Sequence, residues 1–410
     1  MQRFLAATAA AALLSATSAT FAAPDAAVRA ATLAAQPATV ETLKQLVLIE
    51  SGTRDPAGLA KIADTLQARL QALGGQVERR KTSTADVLVS RWTGTGRRHL
   101  MLMAHMDTVY APGILQSQPL KEVGNRLYGP GIADDKGGIA VILHSIAILQ
   151  QLGWKDFASL AVVFNADEES GSGGSGALIS ELASHSDYVL SFEPTNTGAD
   201  GVLLSAAGTT QAVLEVKGKS SHAGAAPELG RNALLEAAYQ MLQTENVARE
   251  VPGAQLNWTM FTTGTIPNQI PESARATADV RLTRRGADAK LLAALQEKVR
   301  EGKHIPETET TVSLQGITRP PFERSDKTDA LAREAQDVYA ELGEKTLAIY
   351  PSTGGATDAG YAQASGHAVV LESMGLPGAG YHARDEFIDL DAIPRRLYLT
   401  TRLLMKLGQE

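Results

Sequence analysis

The fold of this chain is organised around one short stretch, Phe164-Asn165-Ala166-Asp167-Glu168-Glu169-Ser170-Gly171. It closes an apolar run, Leu160 to Phe164, that is typical of a buried β-strand. Three acidic residues follow where that strand ends. Adjacent carboxylates repel one another unless a cation or a shared proton relieves them. A solvated acidic loop is the alternative interpretation of an isolated Asp-Glu-Glu. Further candidate ligands elsewhere along the chain favour a binding site instead.

Length and composition limit the classes to which the chain can belong. With 410 residues, of which 44% are hydrophobic, it can form one large domain or two. A formal charge of −7 argues against a nucleic-acid partner, which usually requires a basic face. The chain has no cysteine, so any metal must be held by histidine and carboxylate side chains.

Residues 1–22 are predicted to be a signal peptide. Arg3 gives a positive start, an Ala-rich apolar stretch runs from Phe4 to Leu14, and Thr20-Phe21-Ala22 offers a small-x-small cleavage site. The apolar stretch is too short for a membrane-spanning helix. We therefore expect a secreted or periplasmic protein with no membrane anchoring after cleavage. A retained anchor is the alternative.

Strands and helices alternate through the first half of the chain. Apolar spacing predicts helices at 39–49, 59–73, 139–152 and 175–183, and strands at 87–92, 99–104, 160–166 and 188–192. This alternation predicts an α/β fold with a mixed, mostly parallel sheet and helices on both faces. Ligands bind beyond the carboxyl ends of the strands in such sheets. His105, the acids at 167–169 and Glu193 all follow predicted strand ends.

The pattern changes after Gly208. Strand, helix, strand, strand, helix and strand follow at 211–219, 229–246, 256–264, 275–282, 287–300 and 310–314. This is the split-βαβ order of a ferredoxin-like domain. We predict an inserted domain at 209–317 and a main domain formed by 23–208 and 318–410. The main domain resumes with helix 327–342, strands 346–350 and 368–372, and a closing helix at 391–407.

Five candidate metal ligands stand at loops or strand ends: His105, Asp134, Glu169, Glu193 and His382. Histidine with carboxylates suits zinc, manganese or cobalt. Two cations about 3.5–4 Å apart need a bridging carboxylate, and Asp134 can fill that place, with one histidine and one glutamate completing each site. A metal-activated water would be the nucleophile and Glu168 its general base. Asp107 can accept a hydrogen bond from the other nitrogen of the His105 ring.

The motifs around these residues resemble the metal-site motifs of the aminoacylase/carboxypeptidase metallopeptidase family, and most closely those of its bacterial glutamate carboxypeptidases. They are His105-Met106-Asp107-Thr108-Val109, Gly131-Ile132-Ala133-Asp134-Asp135-Lys136-Gly137, Asp167-Glu168-Glu169-Ser170-Gly171, Ser191-Phe192-Glu193-Pro194 and Gly380-Tyr381-His382. All five occur in the family's order. The resemblance covers nearly the whole chain after the signal segment, including the inserted domain.

The resemblance implies a zinc-dependent carboxypeptidase with two zinc ions per subunit, for which cobalt or manganese can substitute. His105 and Glu193 would bind one ion, Glu169 and His382 the other, with Asp134 bridging. A metal-bound hydroxide would attack the amide, with Glu168 as general base. The inserted domain would be a lid that also forms a homodimer.

The resemblance also implies substrate contacts. His222, in Lys219-Ser220-Ser221-His222-Ala223-Gly224, would polarise the scissile carbonyl, either in its own chain or across the dimer. Arg281 and Asn268 would hold the α-carboxylate of the C-terminal residue, helped by the turn that contains Gly355 and Thr357. An arginine–carboxylate clamp is a direct way to select a free C-terminus.

The substrate would be a peptide or N-acyl amino acid ending in glutamate, as in folates. Two positions depart from that pattern: Gly201 stands where the glutamate carboxypeptidases have a lysine, and Ile317 about where they have an arginine. The alternative is therefore a broader N-acyl-amino-acid hydrolase, or a di- or tripeptidase, that prefers an apolar C-terminal residue. An aminopeptidase would need a group that binds the free α-amine, and we identify none.

Other interpretations of single motifs are weaker. Gly171-Ser172-Gly173-Gly174-Ser175-Gly176 matches the dinucleotide pattern G-x-G-x-x-G, but the acids just before it would repel a pyrophosphate. An inactive periplasmic protein that binds peptides or metal would have no need of Glu168 as a base, so an enzyme is favoured. We predict that the remaining histidines are structural or on the surface: His99, His144, His185, His304 and His367.

Overall fold

The computed structural model describes residues 23–196, 200–343 and 346–409. The predicted signal segment at 1–22 lies outside these residues. Within the part of the chain that is described, no helix is both long and apolar enough to cross a membrane.

A six-stranded sheet forms the centre of the main domain. Its strands lie in the order Gln76–Arg80, Val87–Thr93, Ser159–Asn165, His99–His105, Tyr188–Ser191 and Val369–Leu371. The first two neighbouring pairs are antiparallel and the other three are parallel. The prediction of a mixed, mostly parallel sheet is confirmed. The edge strand at 76–80 was not predicted, because its residues are mostly polar and only partly buried.

Helices cover both faces of this sheet, as predicted. The larger core contains helices Ala26–Val47, Pro56–Ala72, Lys136–Gln151, Asp326–Ala340 and Ile393–Gln409, and the smaller core contains Gly176–Ala183 and Ala359–Ala364. Leu100 and Leu102 face the larger core while Met101 and Met103 face the smaller one. Successive side chains on a strand point to opposite faces, so a central strand covered on both sides is apolar throughout.

The first helix begins well before the predicted residue 39. Asp25 caps it, since Asp25 Oδ1 accepts hydrogen bonds from the backbone N–H groups of Ala27 and Val28. Alanine favours a helix without giving an apolar stripe. Periodicity therefore missed the Ala-rich first half of this helix.

A second, unpredicted sheet supports the loops above the central strands. Its short strands lie in the order Lys121–Val123, Arg126–Tyr128, Phe387–Asp389, Pro377–Ala379 and Thr195–Asn196. A short helix, Ile114–Ser117, precedes the first two of these strands. A further parallel pair joins Gly201–Leu203 to Ala348–Tyr350. The strands of the second sheet and Gly201–Leu203 have two or three residues and show no periodic pattern. Ala348–Tyr350 lies within the strand predicted at 346–350.

The inserted domain has the predicted β-α-β-β-α-β order. Its four antiparallel strands lie in the order Ala254–Thr263, Ser273–Leu282, Gly208–Lys217 and Glu309–Arg319. Helices Ala233–Thr244 and Ala287–Glu301 enclose a separate core with this sheet. A small strand pair, Ser221–His222 with Gln269–Ile270, lies beside it. The last strand continues past the predicted Leu314 and ends at Arg319.

Candidate active site

The five predicted ligands form two groups that share Asp134. Ligand atoms of His105, Asp134 and Glu193 lie within 4.8 Å of one another, and so do those of Asp134, Glu169 and His382. His105 Nε2 is 2.9 Å from Asp134 Oδ1 and 3.7 Å from Glu193 Oε1. His382 Nε2 is 3.4 Å from Asp134 Oδ2 and 3.2 Å from Glu169 Oε2. Asp134 therefore presents one carboxylate oxygen to each group.

Strand ends bring these side chains together. His105 is the last residue of a central strand, Glu169 lies in the turn after the neighbouring strand, and Glu193 follows the next one along. Asp134 precedes helix Lys136–Gln151, and His382 lies in the loop between two strands of the second sheet. The carboxyl edge of a parallel sheet is where such loops converge.

The electrostatics of this cluster fit divalent cations. Burial, then Glu168 and Asp134, raise the pKa of Glu193 well above its usual value. Burial also raises the pKa of Glu169, against the hydrogen bond from His382. Crowded buried carboxylates of this kind are costly unless a cation compensates them. Two imidazole nitrogens and three carboxylates, one of them shared, are a donor set that suits a pair of zinc-like ions.

Asp107 joins the His105 ring to the acidic turn. It is fully buried. His105 Nδ1 lies 3.0 Å from the Asp107 backbone oxygen and 3.4 Å from Asp107 Oδ1. The same carboxylate accepts hydrogen bonds from the backbone N–H groups of Glu168 at 3.1 Å and Glu169 at 3.2 Å. Burial opposes protonation of His105, but its contacts with Asp107 and Asp134 raise its pKa well above the usual value.

Arg319 is a site residue to which sequence reasoning assigned no role. Its Nη1 donates to Glu168 Oε1 at 2.7 Å and to the backbone oxygen of Ala356 at 2.9 Å, and its Nη2 donates to the Glu168 backbone oxygen. Both side chains are buried. Burial raises the pKa of Glu168 to about 8, although the Arg319 charge opposes the rise. The only sequence signal was an arginine at the domain boundary, before Pro320-Pro321.

Glu386 is a second residue that the sequence did not reveal. It is fully buried. Its carboxylate accepts hydrogen bonds from the backbone N–H groups of Gly131 at 2.8 Å, Ala133 at 2.9 Å and Asp134 at 3.1 Å. The Tyr110 hydroxyl donates to it at 2.8 Å. Glu386 thus fixes the loop that presents the shared carboxylate.

Asp167, the first acid of the turn, has structural contacts. Its Oδ2 accepts from the Gly174 N–H at 2.8 Å and from the Thr84 hydroxyl at 2.6 Å, and its Oδ1 accepts from the Ser175 hydroxyl. The glycine-rich segment therefore turns its N–H groups toward this carboxylate. A dinucleotide phosphate would need those donors, so the geometry argues against that interpretation.

A cavity of about 1010 Å³ opens beside the two ligand groups. Glu168, Glu169, Glu193 and His382 line it from the main domain, and Arg281 and Ile317 line it from the inserted domain. Gly355 and Thr357, two of the predicted substrate contacts, also line it. Arg281 Nε is 2.9 Å from Asp279 Oδ2, and its Nη1 donates to the Gly354 backbone oxygen at 3.3 Å. The cavity is thus a cleft between the two domains.

His222 and Asn268 lie together, away from this cleft. The strand pair that contains His222 meets the segment after Asn268, and the Ala223 N–H donates to the Asn268 backbone oxygen at 2.8 Å. Both side chains are exposed. His222 Nδ1 accepts from the Gly224 N–H at 3.1 Å and the Ala225 N–H at 3.0 Å, which puts the ring proton on Nε2. The structure does not bring this pair to the ligand groups of the same chain.

Comparisons with known proteins agree with this arrangement. The sequence model of Peptidase family M20/M25/M40 matches residues 101–406. Carboxypeptidase G2 from Pseudomonas sp. (strain RS-16) is 45% identical over 377 residues, which cover 91% of this chain and 90% of that protein.

Two solved structures share the fold. Aminopeptidase PepT from Bacillus cereus ATCC 10987 has a TM-score of 0.74 at 22% identity, covering 91% of this chain and 99% of that chain. The M20 family metallo-carboxypeptidase Sso-CP2 from Sulfolobus solfataricus has a TM-score of 0.73 at 16% identity. The match covers 90% of this chain and 99% of that chain.

Proposed function

Because this chain belongs to peptidase family M20/M25/M40, a family of metallopeptidases, we propose that it hydrolyses the amide bond between a C-terminal amino acid and a peptide or N-acyl group. It is a metallo-exopeptidase, and its 45% identity to Carboxypeptidase G2 supports action at the carboxyl end. One observation carries the proposal. Two groups of three ligands share Asp134 beside the buried carboxylate of Glu168.

The proposed cofactor is a pair of zinc ions. His105 and Glu193 would hold one, Glu169 and His382 would hold the other, and Asp134, which belongs to both ligand groups, would be shared. Cobalt and manganese share these ligand preferences and can substitute. When bound, the ions supply Lewis-acid activation of water and of the substrate carbonyl.

Glu168 is the proposed general base. Its carboxylate takes a proton from the attacking water and later delivers it to the nitrogen of the leaving amino acid. A group that both accepts and donates needs a pKa near the working pH. Burial raises the pKa of Glu168 above its usual value, which is the direction that the proton-donating step requires. Asp107 holds the backbone of the base and of the neighbouring ligand, so it positions the turn rather than reacting.

Arg281 is the proposed anchor of the substrate's α-carboxylate. It lines the cleft together with Gly355 and Thr357, and its guanidinium can form paired hydrogen bonds with a carboxylate. The family resemblance favours glutamate as the residue released, as in folates and N-acyl-glutamates. An uncharged C-terminal residue is the second candidate, supported by the apolar side chains in the same cleft.

We further propose a homodimer formed through the inserted domain, with 23–208 and 318–410 as the catalytic domain and 209–317 as the lid. The edge strand Ala254–Thr263 exposes Met260 and Phe261, and helix Ala233–Thr244 exposes Leu235 and Leu242. An unpaired strand edge with exposed apolar side chains favours pairing with another chain. His222 and Asn268 would then complete the partner's cleft, with His222 polarising the scissile carbonyl.

Mixing two impaired variants tests this arrangement. In a mixed dimer of His222→Ala and Glu168→Ala subunits, one cleft has a native Glu168 and receives a native His222 from its partner. Statistical exchange should therefore restore about a quarter of the active clefts. No restoration, with exchange verified by mass, would refute the shared site. His222→Ala alone should lower turnover and keep its zinc.

The location of the protein is proposed from residues 1–22 alone. Export through a cleaved signal peptide would place the enzyme in the periplasm or medium. Mass spectrometry of the exported protein checks this, since an intact N-terminus in the membrane fraction would indicate a retained anchor instead.

The catalytic proposal is tested by amino-acid release from N-acyl-Glu, N-acyl-Phe, N-acyl-Leu and folic acid, each with zinc and with a chelator. Chelator-sensitive release of the C-terminal amino acid is expected from at least one of them. A protein that binds these compounds without releasing an amino acid would be a receptor, and release that survives removal of all metal would exclude the metal centre.

A further inference from the structure

We propose that the cleft selects a C-terminal residue with an uncharged, apolar side chain, such as phenylalanine or leucine. This inference rests on the carboxypeptidase function proposed above and names the substrate class for it. Three features of the cleft lead to it: its supply of cations, the pair formed by Leu203 and Tyr350, and the position of Ile317.

Of the described arginines that line the cleft, one, Arg281, is open enough to bind a substrate carboxylate. Among the described residues that line it, the arginines are Arg281 and Arg319, and there is no lysine. Arg319 is only 4% exposed and already donates to Glu168 and to the backbone oxygen of Ala356. Arg281 is more open, and the α-carboxylate that defines a carboxypeptidase substrate would occupy it. A second carboxylate on the substrate would find no equivalent partner among the described residues of this chain that line the cleft.

Acidic side chains that line the same cleft disfavour the binding of a second negative charge. Asp134, Glu168, Glu169, Glu193 and Asp279 all line it. Metal ions would compensate the ligands among them, but Asp279 lies in the inserted domain, 2.9 Å from Arg281. Asp279 therefore neutralises part of the positive charge of Arg281. Burying a carboxylate without a paired cation is strongly unfavourable, so a glutamate side chain would be penalised here.

Leu203 and Tyr350 form an apolar wall of the cleft. They are directly paired in neighbouring parallel strands, and both line the cavity. The Tyr350 ring covers Gly201, where an added Cβ would lie 2.3 Å from Tyr350 Cε2. No side chain at 201 can therefore reach the cleft while the ring stays in place. This wall offers an aromatic ring and a branched alkyl group to the substrate.

Ile317 provides a second apolar surface from the inserted domain. Its side chain is 40% exposed and lines the cleft. It packs against Gly171 and Gly173, where an added Cβ at 173 would lie 2.6 Å from Ile317 Cδ1. The glycines thus make room for it beside the acidic turn. An apolar substrate side chain that covers Ile317 removes this surface from water, which favours binding.

The experiment compares kcat/KM for N-acetyl-Phe, N-acetyl-Leu, N-acetyl-Gln and N-acetyl-Glu with the zinc-loaded enzyme. Glutamine matches glutamate in shape without its charge, so the Gln/Glu ratio isolates the charge effect. We expect the phenylalanine or leucine substrate to exceed glutamate by at least about tenfold, and glutamine to exceed glutamate. A wild-type preference for glutamate over glutamine would overturn the inference.

A substitution in the cleft provides the matching gain of function. Ile317→Arg adds a cation at a half-exposed position and should raise the ratio of Glu to Gln hydrolysis by about tenfold. The control Ile317→Gln adds polarity without charge and should leave that ratio unchanged. An equal change in both variants would contradict a charge-based selection. If Ile317→Arg fails to fold, the wild-type comparison still decides.

The two proposals fail in different ways. If none of the four amides is hydrolysed in the presence of zinc, the carboxypeptidase function itself is wrong. If hydrolysis is chelator-sensitive and glutamate is preferred, the function stands and only the selection of an apolar residue is wrong.

Discussion

Arg319 closes the last strand of the inserted domain, and its guanidinium lies 2.7 Å from the buried carboxylate of Glu168. The same arginine holds the backbone of Glu168 and of Ala356. The last residue of this strand, beyond the proposed lid boundary at 317, thus fixes the orientation of the proposed base. Movement of this strand would therefore displace Glu168, the proposed proton-transfer group.

Replacing Arg319 tests this connection. Arg319→Gln should lower kcat by about 10-fold to 10²-fold, since the base would lose its orientation, while zinc content stays unchanged. Burial raises the pKa of Glu168 and the Arg319 charge opposes the rise. Removing that charge should therefore shift the acidic limb of the kcat/KM profile to higher pH. Arg324→Gln, in an exposed pair with Asp329, is the matched control, and identical pH profiles for both variants would contradict the role.

Glu168 itself should be separable from metal binding. Glu168→Gln keeps the size of the side chain and a hydrogen-bond acceptor for Arg319, but it cannot accept the proton from water. We expect full zinc content and a loss of roughly 10²–10⁴ in kcat. Exposed Glu181→Gln serves as the control. A variant that retains full activity would remove Glu168 from the mechanism, and one that loses zinc would make it a ligand instead.

His105, Glu169 and Glu193 could be located from the sequence because they follow predicted strand ends. Asp134 and His382 were assigned through the resemblance of their motifs to those of the metallopeptidase family. Strand alternation gave the central sheet, and the change of pattern after Gly208 gave the inserted domain. Arg319 and Glu386 could not be found in this way, since each acts on residues more than a hundred positions away. No local pattern records such a pairing. The strands of the second sheet were not predicted, because a segment of two or three residues cannot show a periodic pattern.

Glu386 should prove necessary for the loop that carries Asp134. Glu386→Ala would leave three backbone N–H groups without their acceptor, and each unsatisfied buried donor costs about 1–3 kcal/mol. We expect a loss of several kcal/mol in unfolding free energy and a 10-fold to 100-fold weaker zinc affinity. Urea unfolding and chelator competition measure these. Glu386→Gln retains one acceptor oxygen and should show smaller effects, so equal losses in both variants would contradict the argument.

His144 gives a prediction on stability that does not involve the active site. It lies in helix Lys136–Gln151, and the Thr42 hydroxyl is 2.9 Å from its Nε2. Burial, assisted by the Arg69 charge, lowers the pKa of His144 from 6.5 to about 4. The unfolded chain therefore takes up this proton first as the pH falls below 6.5. Folding stability is lost progressively between pH 6.5 and 4, and is fully retained above that window.

His144→Gln should remove this acid sensitivity while preserving the contact with Thr42, because the amide oxygen can accept the same hydrogen bond. Between pH 7.5 and pH 5 the wild type should lose about 2 kcal/mol more unfolding free energy than the variant. Urea midpoints at both pH values measure the difference, and the comparison between the two proteins cancels the effect of acid on the metal ligands. His185→Gln, in a surface turn of the described chain, should follow the wild type. Parallel losses in all three proteins would show that His144 is already protonated in the fold at pH 5.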